Sequence, residues 1–461
     1  MRGIAMYNLV YINTHDTGRM ISPYGYDIPT PHLQELAKEG TLFTHAYCCS
    51  PTCSPSRASM LTGTYPHQNG MLGLAQRGFS LNDPSKHLAY YLRTNGYETA
   101  ISGIQHEVGW YLDIDTNALH SMGYEDILTN SSEGYKKEEL HLWDHKNAVS
   151  AADWIVHYNS DKPFMLSYGM HSTHRPYPVK VAENIDERYV KPPFPVESNL
   201  DDRHDQAQFM TSAQYADENA NVIIDALKRS GLLENTIILF TTDHGVALPF
   251  NKCNLTDSGI GISMIIRHPE IARGKVVDQL VSQIDVFPTI CDLLGLEKPN
   301  YLEGTSFLPT IERDEAVRDE VFAEVNFHTS YEPMRCVRNR RYKYIRYYDQ
   351  SWDQINLSNI DESAPKTLLL SNGLKGRKKN MEALYDCLYD PDETNNLIGY
   401  PEYADVIDEL KCDLQKHLED TDDPILNGEL EFKPEYKVNQ KTCLQASSKN
   451  PKDYDPRGRG V

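Results

Sequence analysis

The sequence predicts an α/β fold: a mostly parallel central sheet sandwiched by helices, followed by a smaller C-terminal α+β domain containing an antiparallel sheet. Three observations carry this expectation. Short apolar runs alternate with amphipathic stretches through the first two-thirds of the chain, the order that repeated strand–helix units produce. Capping and stop residues stand between them. After about residue 330 the texture changes to the period-two alternation of half-exposed antiparallel strands. The expected division is a larger, site-bearing domain over 1–330 and a smaller one over 331–461 with a terminal helix and tail.

Taken in order, Tyr7 to Asn13 reads as the first strand, and Thr30-Pro31 opens a helix with Leu33, Leu36 and Ala37 on one face, stopping at Gly40. Asp83-Pro84 starts another, through Leu88 and Leu92 to Asn95-Gly96, with a strand from Glu98 to Ser102 after it. Pro163 to Gly169, Thr236 to Thr241 and Ile262 to Arg267 are further strand-like runs, and about Ser212 to Arg229 is an amphipathic helix ending at Gly231. In the second domain Met334 to Tyr348 alternates like one antiparallel strand, Ala383 to Tyr389 can pair with it, Glu402 to Glu419 forms a last helix, and the tail after about Ala446 reads as loop. No internal repeat stands out.

Composition narrows the function. The chain has 461 residues, with 45 lysines and arginines against 66 aspartates and glutamates, a formal charge of −21. That balance argues against nonspecific attraction to nucleic acid or anionic membrane, so an anionic substrate needs a local cationic pocket. No apolar run approaches the roughly 20 residues of a membrane span, and Met-Arg-Gly-Ile-Ala-Met-Tyr enters the first strand without a signal-peptide pattern. The nine cysteines lack a framework spacing, and Asn254-Leu-Thr is a glycosylation sequon beside the expected site, so the expected compartment is the cytoplasm. The sequence sets no oligomeric state.

The most informative stretch is Cys53-Ser54-Pro55-Ser56-Arg57, continuing Ala-Ser-Met-Leu-Thr-Gly. Ser54 suits an N-cap and Pro55 the first helical position, so backbone N–H groups, the helix dipole and Arg57 converge near the thiol. Four other polar segments follow predicted strands: His15-Asp16, His106, His171-Ser-Thr-His174-Arg175 and Asp243-His244-Gly245. All fall at strand carboxyl ends, where open α/β sheets bind ligands. Asp16 and Asp243 are carboxylates of the kind a hard divalent cation prefers, and His244 is a further ligand candidate. Arg57 and Lys252 are candidates for neutralising charge on an anion, and His106, His171 and His174 for orienting a nucleophile or protonating a leaving group.

These motifs resemble the type I sulfatases of the alkaline-phosphatase-like superfamily. The pentapeptide matches a C-x-P-S-R motif in which cysteine is oxidised to formylglycine, and Thr30-Pro31-His32-Leu33, His67-Gln68-Asn69-Gly70-Met71, Asp243-His244-Gly245 and Leu388 to Leu397 follow in family order. Within the family the His67 and Cys53 segments look most similar to the sulfamidase branch, the heparan N-sulfatases. The resemblance implies that Cys53 becomes formylglycine through a maturation enzyme. It also implies that Arg57 holds that group, His106 contacts its hydroxyl, Lys252 binds sulfate, and His174 with His171 nearby serves the leaving group. Asp16, Asp243, His244 and residue 53 would hold one divalent ion, Ca2+ by family analogy. The implied partner is a sulfated sugar, an N-sulfated glucosamine or small glycosaminoglycan fragment.

Two departures from the family pattern stand out. His15-Asp16 replaces paired aspartates, making His15 the candidate first metal ligand. Gly103-Ile104-Gln105-His106 lacks the usual lysine, leaving Gln105, Arg19 or Arg175 to take its place. Pro176 to His204 reads as a long excursion shaping the substrate rim, and Arg77, Asp83 and Lys86 as exposed charges that could meet a sugar. The other readings are an O-sulfatase on a sulfated hexosamine, a phosphonate or phosphate ester hydrolase of the same superfamily, and a noncatalytic binder of sulfated glycans.

Overall fold

The structure, a computed structural model, describes residues 7–109, 115–271 and 273–459. Met1 to Met6, on which the reading of the N-terminus rests, lie outside the described residues, as do the last two residues of the tail. Eight strands form the central sheet, in the order Lys275–Val277, Thr41–Phe43, Met264–Arg267, Thr236–Thr242, Asn8–Thr14, Phe164–Gly169, Glu98–Gly103 and Asp126–Ile127. Met264–Arg267 is antiparallel to both neighbours, and every other pairing is parallel.

The central strands are apolar on both faces because both are covered. Leu9 and Tyr11 enter one core and Val10 and Ile12 the other, and the same alternation separates Ile237 and Leu239 from Ile238 and Phe240. Ala58, Met60 and Leu61 of the helix Cys53–Thr62 close the first core, with residues of Leu88–Thr94 and Val286–Leu294. Helices Pro31–Glu39, Leu140–Val156 and Leu200–Arg229 close the second. The sandwich predicted from the sequence is therefore the observed architecture.

Several boundaries differ from expectation. The helix expected from Ser212 begins at Leu200, where the Asn199 side chain accepts the Asp202 N–H at 2.9 Å. Its first turns bury Asp202, Asp205 and Gln206, so apolar periodicity could not mark them. Asp83-Pro84 opens only a 3-10 turn, and the α-helix starts at Leu88 behind His87. The Ile262-to-Arg267 run is divided: Gly261–Ile262 joins a separate small sheet with Ala46–Tyr47 and Val281–Ser282.

The C-terminal region carries a four-stranded antiparallel sheet, Val321–Phe327, Tyr331–Arg338, Tyr342–Tyr347 and Glu382–Asp386. The single strand expected from Met334 to Tyr348 is a hairpin, turned where Asn339 Oδ1 accepts the N–H groups of Arg341 and Tyr342 at 3.0 and 2.7 Å. The sheet starts at Val321, ahead of residue 331, and packs into the same apolar cluster as one face of the central sheet. The last helix, Ala404–Asp420, buries Ile407, Leu410, Leu414 and Leu418, a stripe at helical spacing. The tail is not all loop: Tyr454–Arg459 pairs with Lys437–Asn439.

Candidate active site

Parallel pairing brings the polar segments together. Asn13 stands opposite both Gly169 and Thr241, and Gly103 opposite Gly169, so four strands end at one level and release their next residues at one edge. Asp16 and His106 leave that edge with φ of 55° and 62°, left-handed values rare for residues with a Cβ. Each such conformation costs on the order of 1–3 kcal/mol and needs surrounding structure to hold it. For Asp16 part of that hold is its own N–H, donated to Asp243 Oδ1 at 2.8 Å.

The helix Cys53–Thr62 arrives with every residue buried. Its N-cap is Thr52 rather than Ser54, which moves Cys53 onto the first helical position. Ser54 Oγ instead accepts the Ala75 N–H at 3.0 Å, and Ser56 Oγ lies 2.5 Å from the Asp243 carbonyl oxygen, tying the helix to the neighbouring strand end. Arg57 donates to Asp243 Oδ2 from Nε at 3.3 Å and Nη2 at 3.2 Å, and to the Thr14 carbonyl at 3.0 Å. Arg57 therefore fixes Asp243 against the end of the first strand.

At the centre, Cys53 Sγ lies 3.4 Å from His244 Nε2 and 4.0 Å from Asp16 Oδ1. His244 Nδ1 sits 2.9 Å from the Gly245 carbonyl, which can only accept; the ring proton is thus on Nδ1 and the Nε2 lone pair faces the centre. His15 Nδ1 lies 3.0 Å from Asp16 Oδ1 and 3.1 Å from Asp243 Oδ2, while its Nε2 is 3.3 Å from His106 Nδ1. Burial pushes the His15 pKa well down, favouring a neutral ring. A neutral His15 donating to His106 turns a lone pair toward two carboxylates, an arrangement that a cation among the three resolves. Asp16, Cys53, Asp243 and His244 bring ligand atoms within 4.8 Å of one another, all buried, and the donor set fits a divalent ion.

Lys252 and three histidines surround this centre. Lys252 Nζ lies 2.8 Å from Asp16 Oδ2, 3.1 Å from Asp361 Oδ2 and 3.5 Å from His174 Nε2. Burial works against its charge, but Asp16 and Asp361 outweigh burial and raise its pKa well above the usual lysine value. His174 Nδ1 donates to the Arg175 carbonyl at 2.5 Å, so Nε2 faces Lys252 and the cavity. His106 Nε2 lies 2.7 Å from Gln76 Oε1. His171 is placed by its backbone: its N–H and that of Ser172 donate to the buried Asp144 carboxylate at 2.7 and 2.8 Å. Burial pushes the Cys53 thiol well up, with Lys252 opposing it, which favours the un-ionised form.

The structure brings His15, Asp16, Cys53, Arg57, His106, His171, His174, Asp243, His244 and Lys252 to one end of a cavity of about 770 Å³. The residues offered for the missing lysine divide. Gln105 folds back, its Oε1 accepting the Val108 N–H at 2.9 Å. Arg19 donates to the Ala46 carbonyl at 3.0 Å and lies over the Tyr47 ring. Arg175 does line the cavity, paired through both Nη atoms with Asp205 at 2.6 and 2.5 Å. Of the charges expected at the surface, Arg77 is buried, donating to the Lys437 and Ala446 carbonyls at 2.9 and 2.7 Å. Asp83 caps Ser85, and Lys86 lies over Tyr301.

From the expected rim, Pro176, Tyr177 and Val179 line the cavity. Sequence reading missed Gln76, Asp144, His328 and Asp361. Asp144 carried a signal, a carboxylate on the buried helix row that it shares with Leu140 and Ala148; Asp361 carried none, since it enters from the C-terminal region. Asn254 of the sequon donates to the Lys252 carbonyl at 3.0 Å, so its amide is part of the lysine loop.

Residues 7–296 match the family model described as "Sulfatase", and residues 243–368 match the one described as "N-sulphoglucosamine sulphohydrolase, C-terminal". An ulvan-active sulfatase of Formosa agariphila is 28% identical over 89% of this chain and 74% of its own. The human N-sulphoglucosamine sulphohydrolase is 27% identical over 86% of each chain. Among solved structures, a 2-O GAG sulfatase superposes with a TM-score of 0.71 at 21% identity, covering 98% of this chain and 99% of that one.

Proposed function

We propose, for a chain that belongs to the sulfatase family of sulfate-ester hydrolases, that Cys53 is matured to formylglycine and that the cavity removes sulfate from a small sulfated hexosamine, first of all N-sulfated glucosamine. The observation that carries this is the setting of Cys53: a buried cysteine at a helix N-terminus, 3.4 Å from His244 Nε2 and 4.0 Å from Asp16 Oδ1. A thiol held un-ionised is a poor nucleophile, and its position suits a precursor. The N-sulfated sugar is supported by the match of residues 243–368, which include Lys252, and by likeness to the human N-sulphoglucosamine sulphohydrolase.

An aldehyde hydrate at position 53 would offer one hydroxyl as the attacking group and a second whose loss of a proton would let sulfate depart, so release would not wait for external water. Asp16, Asp243, His244 and residue 53, with His15 beside them, would hold a divalent cation, Ca2+ by our assignment, which when bound would lower the cost of ionising that hydrate and polarise the sulfate. Lys252 neutralises charge building on the sulfate oxygens. His174, once protonated on the Nε2 that faces the cavity, would give that proton to the departing nitrogen or oxygen and be recharged by the proton of the second hydroxyl, while His106, its ring nitrogens held by Gln76 and His15, lines the cavity beside Cys53. Arg57 keeps Asp243 ionised and in place. The proposal includes a separate maturation enzyme and a cytoplasmic location.

The test is mass spectrometry for conversion of the Cys53 thiol to an aldehyde, then sulfate release from N-sulfoglucosamine beside its 6-O- and 3-O-sulfated isomers and an aryl phosphonate. An active protein with unmodified Cys53 would defeat the formylglycine reading. A modified enzyme active on an O-sulfate and inert on the N-sulfate would transfer the assignment to that isomer, and faster phosphonate turnover would end the sulfatase assignment.

A further inference from the structure

The cavity holds a carboxylate that the chemistry above does not use. Asp361 Oδ2 lies 3.1 Å from Lys252 Nζ, is closed off from solvent and has no hydrogen-bond partner among the described residues, while the side chain as a whole is 17% exposed and lines the cavity. Because the Lys252 contact lacks hydrogen-bond geometry, the lone pairs of that oxygen are not satisfied by it. An ionised carboxylate only accepts hydrogen bonds, and sulfate oxygens are also acceptors. Asp361 therefore cannot face the sulfate directly without repulsion. What it can face is a donor.

The surrounding chain fixes this oxygen in place. Ile360 is buried in an apolar cluster with Leu357 and Leu374, and Lys366 Nζ donates to the Leu444 carbonyl at 2.7 Å and also to that of Ile360. On the other side, Glu362 Oε1 accepts the Ala446 N–H at 2.7 Å. Phe250, two residues before Lys252, packs against the same apolar cluster, so the lysine and the carboxylate are held on one packed unit although they come from distant parts of the chain. A group positioned this way on both flanks suits orientation of a ligand.

We infer that Asp361 is a specificity-determining residue that accepts a hydrogen bond from a hydroxyl or N–H group of the leaving sugar, next to the sulfated position. Lys252 then stands between the two halves of the substrate, its charge toward the sulfate and its Asp361 partner toward the donor. This rests on the reading of the cavity as a sugar sulfatase site, and it implies selection against leaving groups that lack a donor at that place. Glu362 and Glu138 also line the cavity and add to the preference for donors over a second anionic group.

The experiment compares wild type, Asp361→Asn and Asp361→Ala on the glucosamine sulfate isomer that the wild type turns over fastest and on 4-nitrophenyl sulfate, which has no hydroxyl or amine beside the ester. Inhibition by glucosamine and by inorganic sulfate is measured in parallel. We expect kcat/KM on the sugar to fall about 10- to 100-fold more than on the aryl sulfate, chiefly through KM, the range for losing a hydrogen bond to a charged group. Glucosamine inhibition weakens in both variants while sulfate inhibition persists, which also reports an intact centre. Equal losses on the two substrates, or unchanged glucosamine inhibition, overturn the inference by making Asp361 a partner of Lys252 alone. Wild-type turnover of O-sulfated but not N-sulfated glucosamine defeats the substrate assignment and leaves this comparison in force, whereas wild-type turnover of the aryl sulfate alone defeats both.

Discussion

Lys252 Nζ lies 2.8 Å from Asp16 Oδ2, joining a loop after the fourth polar segment to the carboxyl end of the first strand. Lys252→Ala therefore removes the cation proposed to bind sulfate and a partner of a candidate metal ligand. The expected loss in kcat is about 10²- to 10³-fold, the range for removing one group that stabilises developing charge. Steady-state kinetics on an aryl sulfate checks it, with a weaker inhibition constant for inorganic sulfate as the second readout.

Cys53→Ala deletes the proposed formylglycine precursor and leaves a small side chain on the first turn of a buried helix. Sulfate release should fall by about 10³-fold or more, since residues acting as a unit lose nearly all catalysis together. The thermal midpoint should move little by comparison. Residual activity within about tenfold of wild type, on an order-of-magnitude reading, would show that another group attacks sulfur.

His15→Ala removes a ring within 3.1 Å of both Asp16 and Asp243. If that ring is a ligand or orients the ligands, metal affinity drops about 10- to 100-fold. Metal content per chain after dialysis, and calorimetric titration of Ca2+ and Mn2+ into stripped protein, measure this without reference to turnover. Chelation of the wild type should lower both activity and thermal midpoint, restored by the ion that binds.

His67 ties the catalytic region to the antiparallel sheet through Glu324, with Asp423 3.6 Å away. Burial works to lower its pKa, but the charge and hydrogen bond of Glu324, helped by Asp423, raise it above the ordinary value. Because the folded pKa lies above the unfolded one, the stabilisation is complete below about pH 6.5 and is lost as pH rises through the raised folded value. Urea unfolding from pH 6 upward should show falling stability in the wild type and a flatter profile in His67→Gln.

The parallel sheet was legible because its strands are buried on both faces and so appear as uninterrupted apolar runs, as in Ile237 to Phe240. The Leu200 start of the long helix was not, since its first turns bury Asp202 and Asp205 through polar contacts that no periodicity records. The hairpin turn at Asn339 was hidden for a similar reason: Asn339-Arg340-Arg341 carries no glycine, and one side-chain oxygen makes the turn. Arg77 read as an exposed charge because the carbonyls that bury it lie beyond residue 430.

By itself the sequence determined the chemistry available at the strand ends: Asp16, His106, His174 and Asp243-His244 each follow a recognisable strand, and the Cys53 pentapeptide follows its own local rules. Local pattern suffices there, because a strand and the residue after it are covalently joined. Only the tertiary structure decided what those groups face. The pairing of Lys252 with Asp361, the placing of His171 by Asp144 and the diversion of Arg19 to the Ala46 carbonyl all join residues far apart in the chain. Hydrogen bonds and charge pairs are set by distance in space, and the sequence records distance only along the chain.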